Sequence, residues 1–124
     1  MEFKIDTKET FTIIVPINEQ ISAKMTDALA QKCAEMRQSG RKNYIVDFQN
    51  SAEMDKTAVA GLVGLHEDCY SNEESLVFTG LSKQAINILK EDETDLLINI
   101  APTMKEAVDI ISMEILERDL FNEE

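Results

Sequence analysis

Apolar and polar residues alternate along this chain with a period that changes several times, which predicts a series of short strands and helices. Strands are predicted where apolar residues alternate or run continuously for about five positions. Helices are predicted where apolar residues recur every three or four positions. The predicted strands are 2–6, 10–15, 44–48, 75–79 and 96–100, and the predicted helices are 22–38, 56–70, 82–90 and a last one that begins at 103.

Residues at the ends of these segments support the helix boundaries. Asp55 and Ser82 are each placed to cap a first helical turn, since their side-chain oxygens can accept hydrogen bonds from N–H groups that lack a partner. Thr103 and Glu106 fit the capping box at the start of the last helix. Gly40 can take the left-handed conformation that ends the first helix.

The order of the predicted elements, β-β-α-β-α-β-α-β-α, favours an α/β domain. Strands joined by helices run parallel with right-handed crossovers, whereas the polar loop TKE predicts an antiparallel hairpin at the sheet edge. We therefore expect a mixed, mostly parallel sheet with about four or five helices packed on it. The 124 residues suit one domain over 1–124, in which we expect 118–124 to form a frayed acidic tail.

Charge is distributed unevenly, with a formal net charge of −12 over the whole chain. Residues 1–62 carry 9 acidic and 8 basic side chains, whereas residues 63–124 carry 15 acidic and 4 basic ones. The acidic surface expected for the second half repels nucleic acid and anionic lipid. A simpler interpretation is that the charge only keeps the protein soluble. Because no apolar run approaches ~20 residues and the start has no signal-peptide core, we expect a cytoplasmic protein without membrane insertion.

Residues with reactive side chains are few. Cys33 and Cys69 form no CxxC pattern, and His66 is the one imidazole, which is too few ligands for tetrahedral zinc. Both cysteines fall in helical patterns and are expected to be buried, and a reducing cytosol disfavours a disulfide. Two interpretations of His66 and Cys69 stay open. The pattern favours structural positions, in which the imidazole of His66 is hydrogen-bonded and partly buried. The alternative is a Cys–His nucleophile pair. We expect no metal and no cofactor.

Two further motifs favour structural roles. Asp47 ends a predicted central strand, where receiver domains place their phospho-accepting Asp, but the acidic pair and the Lys that accompany it there are missing. We interpret Asp47 as an acceptor for nearby backbone N–H groups. Gly61 and Gly64 match no phosphate-binding glycine pattern, and we interpret both as allowing close packing on the sheet.

The segment 50–57 is the strongest candidate for a site. It leaves a predicted buried strand and enters a helix N-terminus, whose unpaired N–H groups attract an anion or a partner's carboxylate. Ligands of open α/β sheets gather beyond the carboxyl ends of the strands, where this loop must lie. Simple helix capping explains the same residues equally well, so both interpretations stay open.

A resemblance to a known family lies in the strand YIVDF, a short loop and the segment Met54-Asp55-Lys56-Thr57-Ala58-Val59-Ala60-Gly61-Leu62. This arrangement resembles the STAS domain of bacterial anti-sigma factor antagonists, in which an apolar strand ends in Asp and Asp-Ser-Ser/Thr-Gly-Leu opens a helix. The later stretch GLSKQAINILKEDETDLLINIAPTMKEAVDII is also similar to the end of that family, so the resemblance covers about residues 3–117.

The resemblance implies a non-catalytic protein that binds an anti-sigma factor, often itself a serine kinase, and so regulates sigma-dependent transcription. The kinase phosphorylates the first hydroxyl after the Asp, and the phosphate disturbs the contact surface. On this basis we expect a protein that is a monomer by itself and that binds its partner through Asn50, Ser51, Met54, Asp55, Lys56, Thr57 and Val59.

This sequence departs from the family at the decisive position, because Lys56 stands where the phosphorylated Ser is expected and Ala58 replaces the usual Gly. A Lys cannot accept that phosphate, so Thr57 becomes the phospho-acceptor candidate. One residue of displacement turns a helical side chain by about 100°, so Thr57 either faces a kinase or points inward. We hypothesise that phosphate control is lost or has shifted to Thr57.

Two alternatives remain within the same fold. One is a docking subunit of a larger assembly, such as a stress-signalling complex or a lipid-transport machine. The other is a small-ligand-binding domain, which is disfavoured because the sequence shows no acid–base pair, metal cluster or nucleophile constellation.

Overall fold

The computed structural model describes residues 1–122. Its strands and helices follow the predicted order, with two additional two-residue strands and two short 3-10 turns. The strands are β1 (Phe3–Thr7), β2 (Thr12–Pro16), β3 (Gln20–Ile21), β4 (Tyr44–Asp47), β5 (Glu53–Met54), β6 (Leu76–Thr79) and β7 (Ile100–Ala101). The helices are α1 (Ala23–Gln38), α2 (Val59–Ser71), α3 (Lys83–Glu91) and α4 (Met104–Asn122). Short 3-10 turns, Lys56–Ala58 and Thr94–Leu96, precede α2 and β7.

The main sheet has the strand order β1-β2-β4-β6-β7. Strands β1 and β2 pair antiparallel, and the other three pairs in the sheet are parallel. The predicted mostly parallel sheet with an antiparallel edge hairpin is therefore confirmed. Asp47 pairs with Thr79 at the carboxyl ends of β4 and β6, so the loops that follow these two strands lie side by side.

Side chains of the central strands point alternately to two separate cores. Tyr44 and Val46 of β4 pack with the buried residues of α1, α2 and α3 on one face of the sheet. Ile45 lies between them in sequence and points to the other face, where Ala107 and Ile111 of α4 cover it. The period of two along a strand explains this division. Three helices thus cover one face of the sheet, and α4 covers the other.

Two differences from the sequence prediction involve very short strands. The apolar run 96–100 contributes only Ile100 to β7, because Leu96 and Leu97 belong to the preceding turn and are exposed. Strands β3 and β5 pair parallel in a separate two-stranded sheet. A strand of two residues has no alternation to detect, and so the sequence pattern did not predict this sheet.

Helix α4 continues to Asn122, so the expectation of a frayed tail is wrong for 118–122. This segment contains no Gly or Pro that would end a helix. Arg118 also anchors it, because its Nη2 donates to Ser75 Oγ (2.9 Å) and its Nη1 donates to Asn43 Oδ1 (3.4 Å). The last two residues of the expected tail, 123–124, lie outside the described residues.

Candidate functional site

The predicted loop leads from β4 to the start of α2, at the carboxyl edge of the main sheet. Asp55 ends this loop in an extended conformation, and its Oδ1 accepts a hydrogen bond from the N–H of Thr57 (3.0 Å). The turn Lys56–Ala58 then runs directly into α2. Asp55 therefore caps the first turn, as predicted. We call the residues Asp55, Lys56 and Thr57 the Lys56 corner.

Lys56 presents a cation to solvent at this corner. Its Nζ lies 3.2 Å from Glu91 Oε2 at the end of α3, and both side chains are mostly exposed. Exposed ion pairs of this kind contribute about 0–1 kcal/mol, so Lys56 can exchange Glu91 for a carboxylate of another molecule at little cost. A cation at a helix N-terminus also opposes the helix dipole, so helix stability does not favour Lys at this position.

The predicted partner-binding residues divide according to their burial. The Ser51 hydroxyl donates to the carbonyl of Asn18 (2.6 Å), and the Met54 side chain belongs to the larger core. Both side chains therefore shape the loop from inside and are withdrawn from its surface. Asn50, Lys56 and Thr57 are exposed, Asp55 and Val59 are partly buried, and Ser51 and Met54 are buried.

Gln84 of α3 holds the loop through a contact that the sequence analysis missed. Its Oε1 accepts from the N–H of Met54 (2.7 Å), and its Nε2 donates to the carbonyl of Met54 (3.0 Å). The side chain thus pairs with β5 much as a neighbouring strand would. On the opposite side, β3 pairs with β5, and the N–H of Asp55 donates to the carbonyl of Ile21 (2.8 Å). The backbone that leads into the Lys56 corner is therefore fixed from both sides.

We expect Gln84→Ala to loosen the loop without unfolding the domain. The variant loses two hydrogen bonds and leaves backbone groups of Met54 without partners, at a cost of about 1–2 kcal/mol. Amide hydrogen exchange at Met54 and Asp55, followed by NMR, should become faster while the amides of β6 stay protected. Gln31→Ala, at an exposed position of α1, is the matched control. Uniform acceleration across the domain would contradict a local role for Gln84.

Comparison with protein families identifies the fold. The family model of the STAS domain matches residues 3–107, most of the chain. The chain belongs to the STAS-domain family. No protein of curated function matches it in sequence.

Solved structures similar to this STAS domain include anti-sigma factor antagonists. A putative antagonist from Thermotoga maritima has a TM-score of 0.75 at 12% identity, over 89% of this chain and 94% of its own. An RsbS variant from Moorella thermoacetica has a TM-score of 0.73 at 13% identity, over 95% and 99%. The unphosphorylated antagonist SpoIIAA of Bacillus has a TM-score of 0.68 at 14% identity, over 90% and 96%. At these identities the likeness shows the fold.

Asp47 of this STAS domain is a structural acceptor, as predicted. Its Oδ1 accepts from the N–H of Gln49 and its Oδ2 accepts from Gln49 Nε2, both at 3.1 Å. Burial raises the pKa of Asp47, and the hydrogen bond from the Gln49 backbone opposes that rise. Gly80, at a φ of 72°, comes so close that a Cβ there would lie within 3.0 Å of Oδ1. Asp47 is therefore enclosed by the loops that follow β4 and β6.

His66 and Cys69 face different surroundings on α2. Cys69 is buried, and the neighbouring thiol of Cys33, together with that burial, raises the pKa of the Cys69 thiol, whereas a nucleophilic Cys needs a lowered pKa. His66 contacts Tyr70, with ring centroids 4.4 Å apart. Its Nε2 has no hydrogen-bond partner within residues 1–122, which corrects the expectation of a satisfied imidazole. Burial lowers the pKa of His66, while Glu114 opposes that effect.

An open groove of about 510 Å³ lies beside the loop. Apart from Ala52, its lining residues are polar or acidic: Glu19, Gln20, Gln49, Asn50 and Glu53. Within the part of the chain that the structure describes, no three His, Cys, Asp or Glu side chains gather in a group that could hold a metal ion. No helix in residues 1–122 is both long enough and apolar enough to cross a bilayer.

Proposed function

We propose that this STAS domain is a non-catalytic cytoplasmic switch protein that binds an anti-sigma factor of the serine-kinase type and so regulates sigma-dependent transcription. The observation that carries the proposal is the exposed Lys56 corner at the start of α2. The fold likeness to anti-sigma factor antagonists supports the class of partner. In this proposal Asn50, Lys56 and Thr57 contact the partner, and the chain is a monomer when it is alone.

In this proposal Lys56 itself supplies the positive charge that contacts the partner, and that charge needs no phosphate. A phosphorylated Ser would bring close to two negative charges, whereas a Lys ammonium carries one positive charge near neutral pH. Ser51 is buried and donates to Asn18, so a kinase has no access to its hydroxyl. Thr57 is exposed and stays the phospho-acceptor candidate. The partner surface that faces Lys56 is therefore proposed to carry carboxylates.

Phosphate transfer distinguishes loss of control from a shift to Thr57. We expect a serine kinase encoded beside this gene, incubated with ATP, to leave the wild-type chain unmodified and to phosphorylate the Lys56→Ser variant at position 56. The new hydroxyl would occupy an exposed position, and mass spectrometry would locate the phosphate. Thr57→Ala, added to Lys56→Ser, is the control. Stoichiometric phosphate on Thr57 of the wild type would show that control has shifted instead.

Charge reversal at the corner should weaken partner binding. We expect Lys56→Glu to raise the Kd for the same kinase about tenfold, a loss of about 1.4 kcal/mol, because a carboxylate would then face carboxylates. Lys105→Glu is the matched control, since Lys105 is also exposed but lies on α4, where it pairs with Asp109. Isothermal titration calorimetry measures both variants. An equal loss in the two would reflect net charge alone and would contradict a contact at Lys56.

A docking subunit of a larger assembly is the second candidate. A chain of the stressosome, described as a signal integration and transduction hub, shares this fold with a TM-score of 0.60 at 15% identity. Size-exclusion chromatography with light scattering separates the two candidates. A monomer that captures one kinase supports the switch protein, whereas co-purification in a large particle supports the assembly subunit.

A thermal-shift screen with nucleotides tests the remaining alternative, a small-ligand-binding domain. Specific binding stabilises the folded state by mass action. Stabilisation by several degrees at a modest nucleotide concentration would favour a ligand-binding domain over both protein-docking functions.

A further inference from the structure

Helix α4 is apolar on two opposite faces. Ile111 and Ile115 face the sheet, where they join the smaller core. Successive helical residues turn by about 100°, so the spacing of Met113, Leu116 and Leu120 places these three on one line pointing away from the sheet. Their exposed fractions are 62%, 60% and 58%. We call Met113, Leu116 and Leu120 the α4 stripe.

The fold does not account for the α4 stripe. A helix that packs on one face of a sheet needs one apolar face, with polar residues opposite. A contiguous group of exposed apolar side chains on a surface marks a contact with another molecule. The α4 stripe also lies on the opposite side of the sheet from α2 and the Lys56 corner. An interaction there is therefore independent of the proposed function.

Acidic side chains border the α4 stripe. Residues 104–124 carry 7 acidic and 2 basic side chains. Glu117 and Asp119 are exposed, and helical geometry places them on the two sides of the line through Leu116 and Leu120. The two basic residues are engaged elsewhere: Arg118 donates to Ser75, and Lys105 pairs with Asp109.

We propose that the α4 stripe docks a basic amphipathic helix of another protein. Apolar residues of that helix would pack on Met113, Leu116 and Leu120, which have the spacing of helix anchors. Its Lys and Arg side chains would face Glu117 and Asp119. A second copy of this chain fits less well, because a two-fold axis would bring the acidic borders of both copies together, and like charges in an interface are costly.

Two synthetic helices test this proposal on the full chain. One peptide carries Leu on one face and Lys on the other, and the matched peptide carries Glu in place of Lys. Fluorescence anisotropy should show binding of the Leu/Lys peptide that weakens with added salt, and no binding of the Leu/Glu peptide. The double variant Leu116→Ser, Leu120→Ser should lose at least about tenfold in affinity, equivalent to about 1.4 kcal/mol. Leu96→Ser, at a residue 75% exposed elsewhere on the surface, should bind as the wild type does.

Charge reversal at the border gives a second test. The double variant Glu117→Lys, Asp119→Lys should prefer the Leu/Glu peptide, with circular dichroism confirming that α4 stays folded. Unchanged binding by the serine variant, or equal binding of both peptides by the wild type, would overturn the proposal. A wild-type dimer that the serine variant dissociates, seen by light scattering, would overturn it in favour of a second copy. Lys56→Glu should leave peptide binding unchanged, so a failure here is distinct from a failure of the proposed function.

Discussion

Replacing Arg37 by Met is expected to lower the free energy of unfolding by about 3–5 kcal/mol, because it leaves a buried carboxylate without its cation. Arg37 Nε donates to Glu74 Oε2 (2.9 Å), and Arg37 Nη2 donates to Glu74 Oε1 (2.7 Å). The Glu74 side chain has no exposed surface. Without Arg37 it would keep the Tyr44 hydroxyl as a donor (3.3 Å), which cannot neutralise a charge.

Urea denaturation is the appropriate measurement for this variant, because urea is uncharged and does not screen ion pairs. Lys32→Met is the matched control on the same helix, since Lys32 is partly exposed and pairs at 3.4 Å with Glu35, whose side chain is mostly exposed. We expect it to change the free energy by less than about 0.5 kcal/mol. Removing both charges, with Arg37→Met and Glu74→Met together, should recover most of the loss. A double variant as unstable as the single one would refute the buried carboxylate as the cause.

The Arg37–Glu74 pair lies far from the Lys56 corner, so stability and partner contact are separable. Arg37 is in the last turn of α1, and Glu74 precedes β6, at the edge of the sheet opposite to the corner. Glu74 raises the pKa of Arg37 above its usual value, chiefly through their hydrogen bonds. Arg37 therefore keeps its positive charge near neutral pH. At a temperature where the Arg37→Met variant is still folded, it should bind the partner with wild-type affinity.

Periodicity predicted the long elements of this fold because each of them buries one face. In α1, Met25, Leu29 and Cys33 recur at steps of four, and all three are fully buried. The same reasoning overestimated the last strand, because an apolar run is not always a buried one, and Leu96 and Leu97 are exposed. The second apolar face of α4 is a further case of apolar residues that are not buried, since the residues on that face belong to no core within the described chain.

The candidate site was predictable only as far as it is local in sequence. The cap by Asp55 and the exposure of Lys56 follow from a strand, a loop and a helix start in succession. Burial of Ser51 depends on Asn18, 33 residues earlier, and the position of Met54 depends on Gln84, 30 residues later. Hydrogen bonds between residues so far apart in sequence leave no periodic pattern. The structure was therefore needed to separate the residues that shape the loop from those that can contact a partner.

Gly61 and Gly64 lie three residues apart on α2 and should respond in opposite directions to replacement by Ala. A Cβ at Gly61 would come closer than 3.0 Å to Oγ1 and Cβ of Thr26 on α1, whereas a Cβ at Gly64 would meet nothing within 4 Å. The interpretation of Gly61 as a close-packing position is confirmed, although its neighbour is α1 and not the sheet. For Gly64 that interpretation is wrong.

We expect Gly61→Ala to lower the free energy of unfolding by about 1–3 kcal/mol, the range for overpacking. Thr26 cannot easily give way, because it is buried and its hydroxyl donates to the carbonyl of Ala23 (2.8 Å). Gly64→Ala should instead raise the free energy by up to about 1 kcal/mol, since Ala favours helix over Gly. Urea denaturation of both variants decides the matter. Destabilisation by both would mean that α2 disfavours Ala in general, and stabilisation by both would mean that α1 yields at Thr26.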